Sequence, residues 1–201
     1  MPATFSFRIA FFILLGVMLA IRIYFNLRLR QAGERHMPER KDIQREGWLL
    51  FISRAVLFFV LIAILVLYLI GHPWMKALDL NLPDWLRRLG FAIGGLSIVL
   101  LIWIQLVLGR QFSPQLQFRQ RHQLITNGPF SRVRHPLYTA LDSFGLSLAL
   151  LSANWFFVAF FVISLVGLWQ RVPKEEQMML DLFGEDYIVY MQRTGRFFPK
   201  M

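Results

Sequence analysis

The sequence predicts an all-α, polytopic integral membrane protein, and three observations predict it. The 201-residue chain is 56% hydrophobic and only 17% charged, with a mean hydropathy of +0.49, outside the balance of an ordinary soluble domain. Its apolar residues gather into runs of roughly twenty, the length that crosses a hydrocarbon core at about 1.5 Å per helical residue. Most of its 22 Lys and Arg fall in alternate gaps between those runs, the pattern that marks cytoplasmic loops.

The first run, residues 5–27, ends in Arg28 and Arg30 and has no small-residue cleavage site, so it is expected to be a retained helix with its N-terminus outside. Arg22 sits close enough to the inner end to snorkel. Residues 28–46 alternate basic and acidic side chains around Gly33 and Pro38 and read as a cytoplasmic loop. Trp48 marks the interface before a second span over 49–70, with Arg54 near its inner end. The connection from Gly71 to Trp85 carries two Trp anchors, and His72 reads there as a turn residue. The third span covers about 89–108, where Gly94-Gly95 would permit a close helix approach. A polar stretch with five Arg follows, 109–134. From His135 to Trp169 the chain is apolar except at Ser152-Ala153-Asn154. Each half reaches only about 24 Å, so the pair reads as a tight hairpin returning to the side it left.

The tail from Val172 is amphipathic. Pro173 with Glu175 and Glu176 reads as a helix start, Met179, Leu182 and Phe183 share a face, and Tyr187, Tyr190 and Met191 follow a break at Gly184. Sixteen basic residues then lie inside and four outside, with two in spans. The bias gives about five transmembrane helices plus a C-terminal amphipathic cytoplasmic helix, with the C-terminus cytoplasmic. Residues 1–201 form one membrane-embedded domain, three N-terminal spans over 1–108 and a second half over 109–201.

Composition also excludes. The formal charge of +10 follows membrane topology, not a basic stripe interleaved with exposed aromatics, so no nucleic-acid partner is expected. With no cysteine, disulfides, thiolate nucleophiles and Cys-based zinc sites are out. The four His make no HExxH spacing, so no metal is expected, and neither GxGxxG nor a Walker loop is present.

The chemistry concentrates in Asn127–Tyr138. Gly128-Pro129 forces a turn, and Pro136 suits the first turn of a helix, where its missing N–H is not needed. His135 then stands at a helix entrance. Arg132, Arg134 and His135 would crowd around unbonded backbone N–H groups at the positive end of the helix dipole, an arrangement suited to a carboxylate. Interfacial anchoring alone accounts for each residue taken singly. Asp142, an acid two turns into the next apolar helix, is open to either a functional or an interfacial reading.

Gly128-Pro129-Phe130, Arg134-His135-Pro136-Leu137-Tyr138, Glu175-Glu176 and Phe183-Gly184-Glu185-Asp186-Tyr187 together resemble the RHPxY and EE signature of the isoprenylcysteine carboxyl methyltransferase family, a signature that phospholipid N-methyltransferases share. The likeness covers roughly 108–199. It implies an integral membrane enzyme that binds S-adenosyl-L-methionine between its last helices, without a Rossmann fingerprint. Carried over position by position, Gln115, His122, Gln123, Leu124, Ile125, Phe130, His135, Pro136, Leu137, Tyr138 and Glu175 match cofactor-pocket positions, and Arg171 matches the family's substrate-contacting Arg. These residue types suit the ligand: Glu175 its ammonium, and Leu124, Ile125 and Phe130 its flat ring. Phe130 stands where Tyr is common, and Ala140 where Gly is common.

The resemblance implies methyl transfer to a lipophilic acceptor from the bilayer, with carboxyl O-methylation of an isoprenylcysteine-like substrate favoured over N-methylation of a phospholipid amine. It would place the protein in the cell membrane of a bacterium or the endoplasmic reticulum of a eukaryote. An NADPH-dependent sterol-type reductase is disfavoured, because the acid typical three residues after the motif Tyr is here Leu141. A non-enzymatic membrane module would keep His135 and Glu175 more than about 15 Å apart, beyond the reach of one ligand pocket.

Overall fold

The structure, a computed structural model, describes residues 2–31, 48–108 and 124–200. It is all-helical among the described residues, with α1 at Pro2–Gln31, α2 at Trp48–Leu69, α3 at Pro73–Ala77, α4 at Asp84–Leu108, a 3-10 turn at Gly128–Ser131, α5 at Pro136–Ser152, α6 at Trp155–Phe183 and α7 at Glu185–Arg193. Three helices are long and apolar enough to cross a membrane, within Ser6–Arg28, Asp84–Leu108 and Trp155–Phe183.

The α4–α5 pair is the most intimate contact in the fold, with α1 leaning on both helices. Small residues permit it, at positions one turn apart on α4. A Cβ on Gly90 would come within 2.8 Å of Leu150 Cβ and 3.2 Å of the Ser147 carbonyl, and one on Gly94 would meet Ser147 Oγ and Leu14. Gly95 has open space beside it. The close approach expected of Gly94-Gly95 therefore belongs to Gly90 and Gly94, because residues four apart share a helix face and adjacent ones do not.

At the far end of the bundle, Phe11, Tyr68 and Phe157 meet edge-on with ring centroids 4.9–5.2 Å apart, tying α1, α2 and α6 together. The break at Ser152-Ala153-Asn154 is a true hairpin turn. Ala153 adopts left-handed φ 48°, and the buried Asn154 caps α6 by accepting from the Phe156 N–H at 3.0 Å. The Asn154 amide also donates to the Met75 carbonyl and Asp79, at 2.7 and 2.9 Å. This end is thereby stitched to the α2–α4 connection, where His72 caps α3 as a turn residue, its Nδ1 accepting from the Trp74 N–H at 3.4 Å.

One charge has a role the sequence did not show, and one expectation needs correction. Arg87 is buried at 6% exposure. Its guanidinium donates to the Leu151 carbonyl at 3.2 and 2.7 Å and lies 4.3 Å over the Phe7 ring. A carbonyl at the end of α5 has no partner within its own helix, which is why a cation is drawn in. The helix start expected at Pro173 is absent, because α6 runs unbroken through Pro173 to Phe183. Proline removes one hydrogen bond, here to the Trp169 carbonyl, but Arg171 and Glu175 bridge the same turn at 2.7 Å and hold it together. The chain breaks where glycine allows it, at Gly184 with φ 51°.

Candidate functional site

Because the hairpin returns the chain, the entrance of α5 and the last turns of α6 lie side by side, at the opposite end from Asn154. His135 occupies the N-cap position and Pro136 the first turn. On α6, residues 171 and 175 face the same way, while consecutive residues 175 and 176 point about 100° apart. The Glu-Glu doublet therefore serves two clusters.

Glu175 forms the first. Its Oε1 accepts from the Tyr138 hydroxyl at 2.5 Å and from Arg171 Nε at 2.7 Å. Its Oε2 lies 3.7 Å from His135 Nδ1. The carboxylate is partly open, with 22% of its side chain exposed, as a ligand contact requires.

Glu176 forms the second, and only 6% of its side chain is exposed. It accepts from Arg134 Nε at 2.9 Å and from Arg196 Nη2 at 2.5 Å, while His135 Nε2 lies 3.3 Å away. Burying a carboxylate is costly unless charged donors surround it, and here they do. Arg134 also donates to the carbonyls of Thr194 and Met191, at 2.5 and 3.1 Å.

These bonds fasten the C-terminal tail against the site. The N–H groups of Arg134 and His135 donate to the carbonyls of Gly195 and Arg196, at 2.9 and 3.0 Å, and the Gly195 N–H donates to Arg132. Thr139 Oγ1 donates to the Phe197 carbonyl at 2.8 Å. A side chain at Gly195 would collide with the Phe198 backbone. The expectation of unbonded N–H groups is thus corrected for Arg134 and His135, whose N–H groups bond the tail, some sixty residues away in sequence, while Glu176 takes the Arg134 side chain.

Aromatic side chains continue the wall. The His135 ring stacks on Tyr138 with centroids 5.6 Å apart and meets Phe197 at 6.1 Å. Phe197 in turn stacks on Trp169 at 5.2 Å. Asp142 is half-buried near the Trp169 side chain. Below the entrance, Tyr190 donates its hydroxyl to the Phe130 carbonyl at 2.7 Å. Burial pushes the Tyr190 phenol up to about 12 and that of Tyr187 well above its usual range, so both remain protonated donors.

Of the positions singled out from sequence, His135, Tyr138, Arg171 and Glu175 come together in one cluster. Pro136 is buried beside them. Phe130 and Leu137 are half-buried against the helical core, and Leu124 and Ile125 are half-buried on the irregular approach to the 3-10 turn. Gln115, His122 and Gln123 lie outside the described residues. Sequence reasoning missed the parts played by Arg134, Glu176, Thr139 and Arg196. The doublet was a usable signal, since neighbouring acids on one helix must serve different partners. Among the described residues no group of acids and histidines is placed to hold a metal ion.

The profile of the isoprenylcysteine carboxyl methyltransferase family matches residues 90–181. Protein-S-isoprenylcysteine O-methyltransferase B of Arabidopsis thaliana is 26% identical over 113 residues, covering 55% of this chain and 57% of that protein. The Tribolium castaneum protein-S-isoprenylcysteine O-methyltransferase is 28% identical over 57% of this chain and 42% of its own length. The Schizosaccharomyces pombe protein of that name is 34% identical over 39% and 34%. The chain thus spans about half the length, or less, of the curated relatives it matches. The solved structure of a eukaryotic intramembrane Ras methyltransferase, an isoprenylcysteine carboxyl methyltransferase, superposes with a TM-score of 0.53 at 25% identity, over 81% of this chain and 54% of that one. Family profile, relatives and fold all make this chain similar to the isoprenylcysteine carboxyl methyltransferases.

Proposed function

We propose that this protein is an integral-membrane methyltransferase that uses S-adenosyl-L-methionine to methylate the carboxylate of an isoprenylcysteine-like acceptor. The observation that carries the reading is the convergence of Tyr138, His135 and Arg171 on the partly open Glu175 carboxylate, within 2.5 to 3.7 Å. The donor set fits the cofactor: Glu175 is an anionic acceptor for its ammonium, and Leu124, Ile125 and Phe130 offer apolar surface for its ring. When bound, S-adenosyl-L-methionine supplies the methyl group as an electrophile on a cationic sulfur.

The chain's own residues orient and enclose. Tyr138 and Arg171 fix the rotamer of Glu175 by bonding one oxygen and turning the other toward His135. A guanidinium carries five N–H donors in a rigid fork, so a bond from Arg171 Nε to Glu175 is compatible with a second carboxylate on the same group. An acceptor carboxylate is already ionised at neutral pH and requires no base, so Arg171 orients it and raises the fraction of aligned encounters. The aromatic wall from His135 to Trp169 lines this end of the cluster.

The apolar helices and the paired polar clusters support five spans, with the N-terminus outside and the site and C-terminus on the cytoplasmic face. Labelling single cysteines introduced into this cysteine-free chain tests that topology. For the activity, purified protein is incubated with labelled S-adenosyl-L-methionine and either an N-acetyl-S-isoprenylcysteine or phosphatidylethanolamine. A base-labile methyl ester on the cysteine derivative is expected. Methyl groups only on the phospholipid amine would transfer the assignment to N-methylation.

A further inference from the structure

His135 stands between two carboxylates, and its two nitrogens face different ones. Nε2 lies 3.3 Å from Glu176 Oε1 and Nδ1 lies 3.7 Å from Glu175 Oε2. Two guanidinium groups hold Glu176 as an ionised acceptor, so the ring nitrogen facing it carries the proton. Nδ1 has no carboxylate oxygen within hydrogen-bond reach, so a proton placed there would go unbonded. Nδ1 is therefore left with its lone pair. At 3.7 Å it is too far from Glu175 Oε2 for a hydrogen bond. Two acceptors facing one another repel unless an N–H donor lies between them.

We propose that Glu176 is a positioning residue that fixes His135 with Nε2 protonated, and so builds with Glu175 a two-acceptor seat for a ligand ammonium group. Identifying that ammonium with the one on the methyl donor rests on the methyltransferase reading. The C-terminal tail belongs to the same device. Its Arg196 bonds Glu176 from the exposed side, and its backbone carbonyl bonds the His135 N–H. Glu176 thus acts through the imidazole and touches no ligand itself.

The test pairs a spectroscopic readout with binding. Nitrogen-15 spectra of histidine-labelled protein in detergent, assigned with His135→Asn, should show His135 protonated at Nε2 alone. Protonation at Nδ1, or at both nitrogens, overturns the proposal. Binding is measured by calorimetry with S-adenosylhomocysteine and with its analogue lacking the α-amino group. His135→Gln keeps an N–H where Nε2 stood and loses the Nδ1 acceptor, whereas His135→Asn keeps an acceptor near Nδ1. His135→Gln should weaken the amino-bearing ligand about tenfold or more, as expected for a charge-assisted bond, and the deamino analogue much less, with His135→Asn milder than His135→Gln. Glu176→Gln should reproduce that ligand selectivity, and its imidazole signals should lose the single-tautomer pattern. A merely structural Glu176 would weaken both ligands equally, which also overturns the proposal. If Glu176→Gln does not fold, the two His135 variants and the wild-type spectrum decide. If the wild type binds neither ligand, the methyltransferase reading fails and the histidine spectrum alone judges the seat.

Discussion

Replacing Glu175 by Gln, alongside Tyr138→Phe and Arg171→Lys, separates ligand binding from helix bracing at the site. In the structure, Glu175 Oε1 receives both the Tyr138 hydroxyl at 2.5 Å and Arg171 Nε at 2.7 Å, in a setting where about a fifth of each charged side chain is exposed. The amide of Gln keeps an oxygen acceptor for one of these donors, so the lost stability is modest, about 1 kcal/mol for a partly screened pair. The lost ligand contact is larger. A charge-assisted bond to an ammonium contributes on the order of 1.5–3 kcal/mol, which corresponds to a rise of about ten- to a hundredfold in cofactor Kd. Tyr138→Phe leaves the charge in place and removes only the hydroxyl that fixes it, so Kd should rise by about fivefold, near 1 kcal/mol. Arg171→Lys keeps the charge but loses the planar fork, and turnover should fall while cofactor affinity stays close to wild type. The assays are calorimetric titration with S-adenosylhomocysteine, methyl transfer to an isoprenylcysteine derivative, and thermal unfolding in detergent. Parallel losses of affinity, turnover and melting temperature in all three variants, with double substitutions little worse than single ones, would refute these roles and leave only a brace between helices.

Three further outcomes follow from the packing. Gly90→Ala should lower the melting temperature, because the new methyl would lie 2.8 Å from Leu150 Cβ, an overpacking cost of about 1–3 kcal/mol; Gly95→Ala, with no atom within 4 Å, should be neutral or slightly stabilising. Arg87→Leu should cost about 2 kcal/mol by leaving the buried Leu151 carbonyl unbonded, whereas the exposed Arg88→Gln should change little, both read by thermal unfolding. Tyr190 has a folded-state value of about 12 against 10.0 for the free side chain, so the unfolded chain loses this proton first as pH rises. The stability it contributes is fully present below pH 10.0 and lost as pH climbs toward about 12. Tyr190→Phe should reduce the high-pH decline of the melting profile, the raised Tyr187 phenol keeping its own share, and cost about 1 kcal/mol at neutral pH through the lost bond to the Phe130 carbonyl.

What the sequence determined by itself was whatever follows from local order along the chain. Apolar runs of sufficient length become helices because no other structure satisfies backbone polar groups in hydrocarbon. Ser152-Ala153-Asn154 interrupts such a run with residues that tolerate a left-handed turn and cap a helix. His135-Pro136 opens a helix because proline suits the first turn, and the spacing of Arg171 and Glu175 puts them on one face. What only the tertiary structure decided was which partner each polar group found, charged partners arriving from some twenty to forty residues away. Arg87 found the free carbonyl at the end of α5, and Pro173 read as a start until neighbouring contacts carried the helix through. Arg134 was expected at a ligand and instead clamps Glu176 and the tail. The adjacent acids Glu175 and Glu176 are indistinguishable by type, yet one faces an open cluster and the other is buried among cations. The reason is physical: helix formation depends on residues within about four positions, whereas a buried charge is stable only where the fold delivers an opposite charge to it, and here that delivery spans some twenty to forty residues of chain.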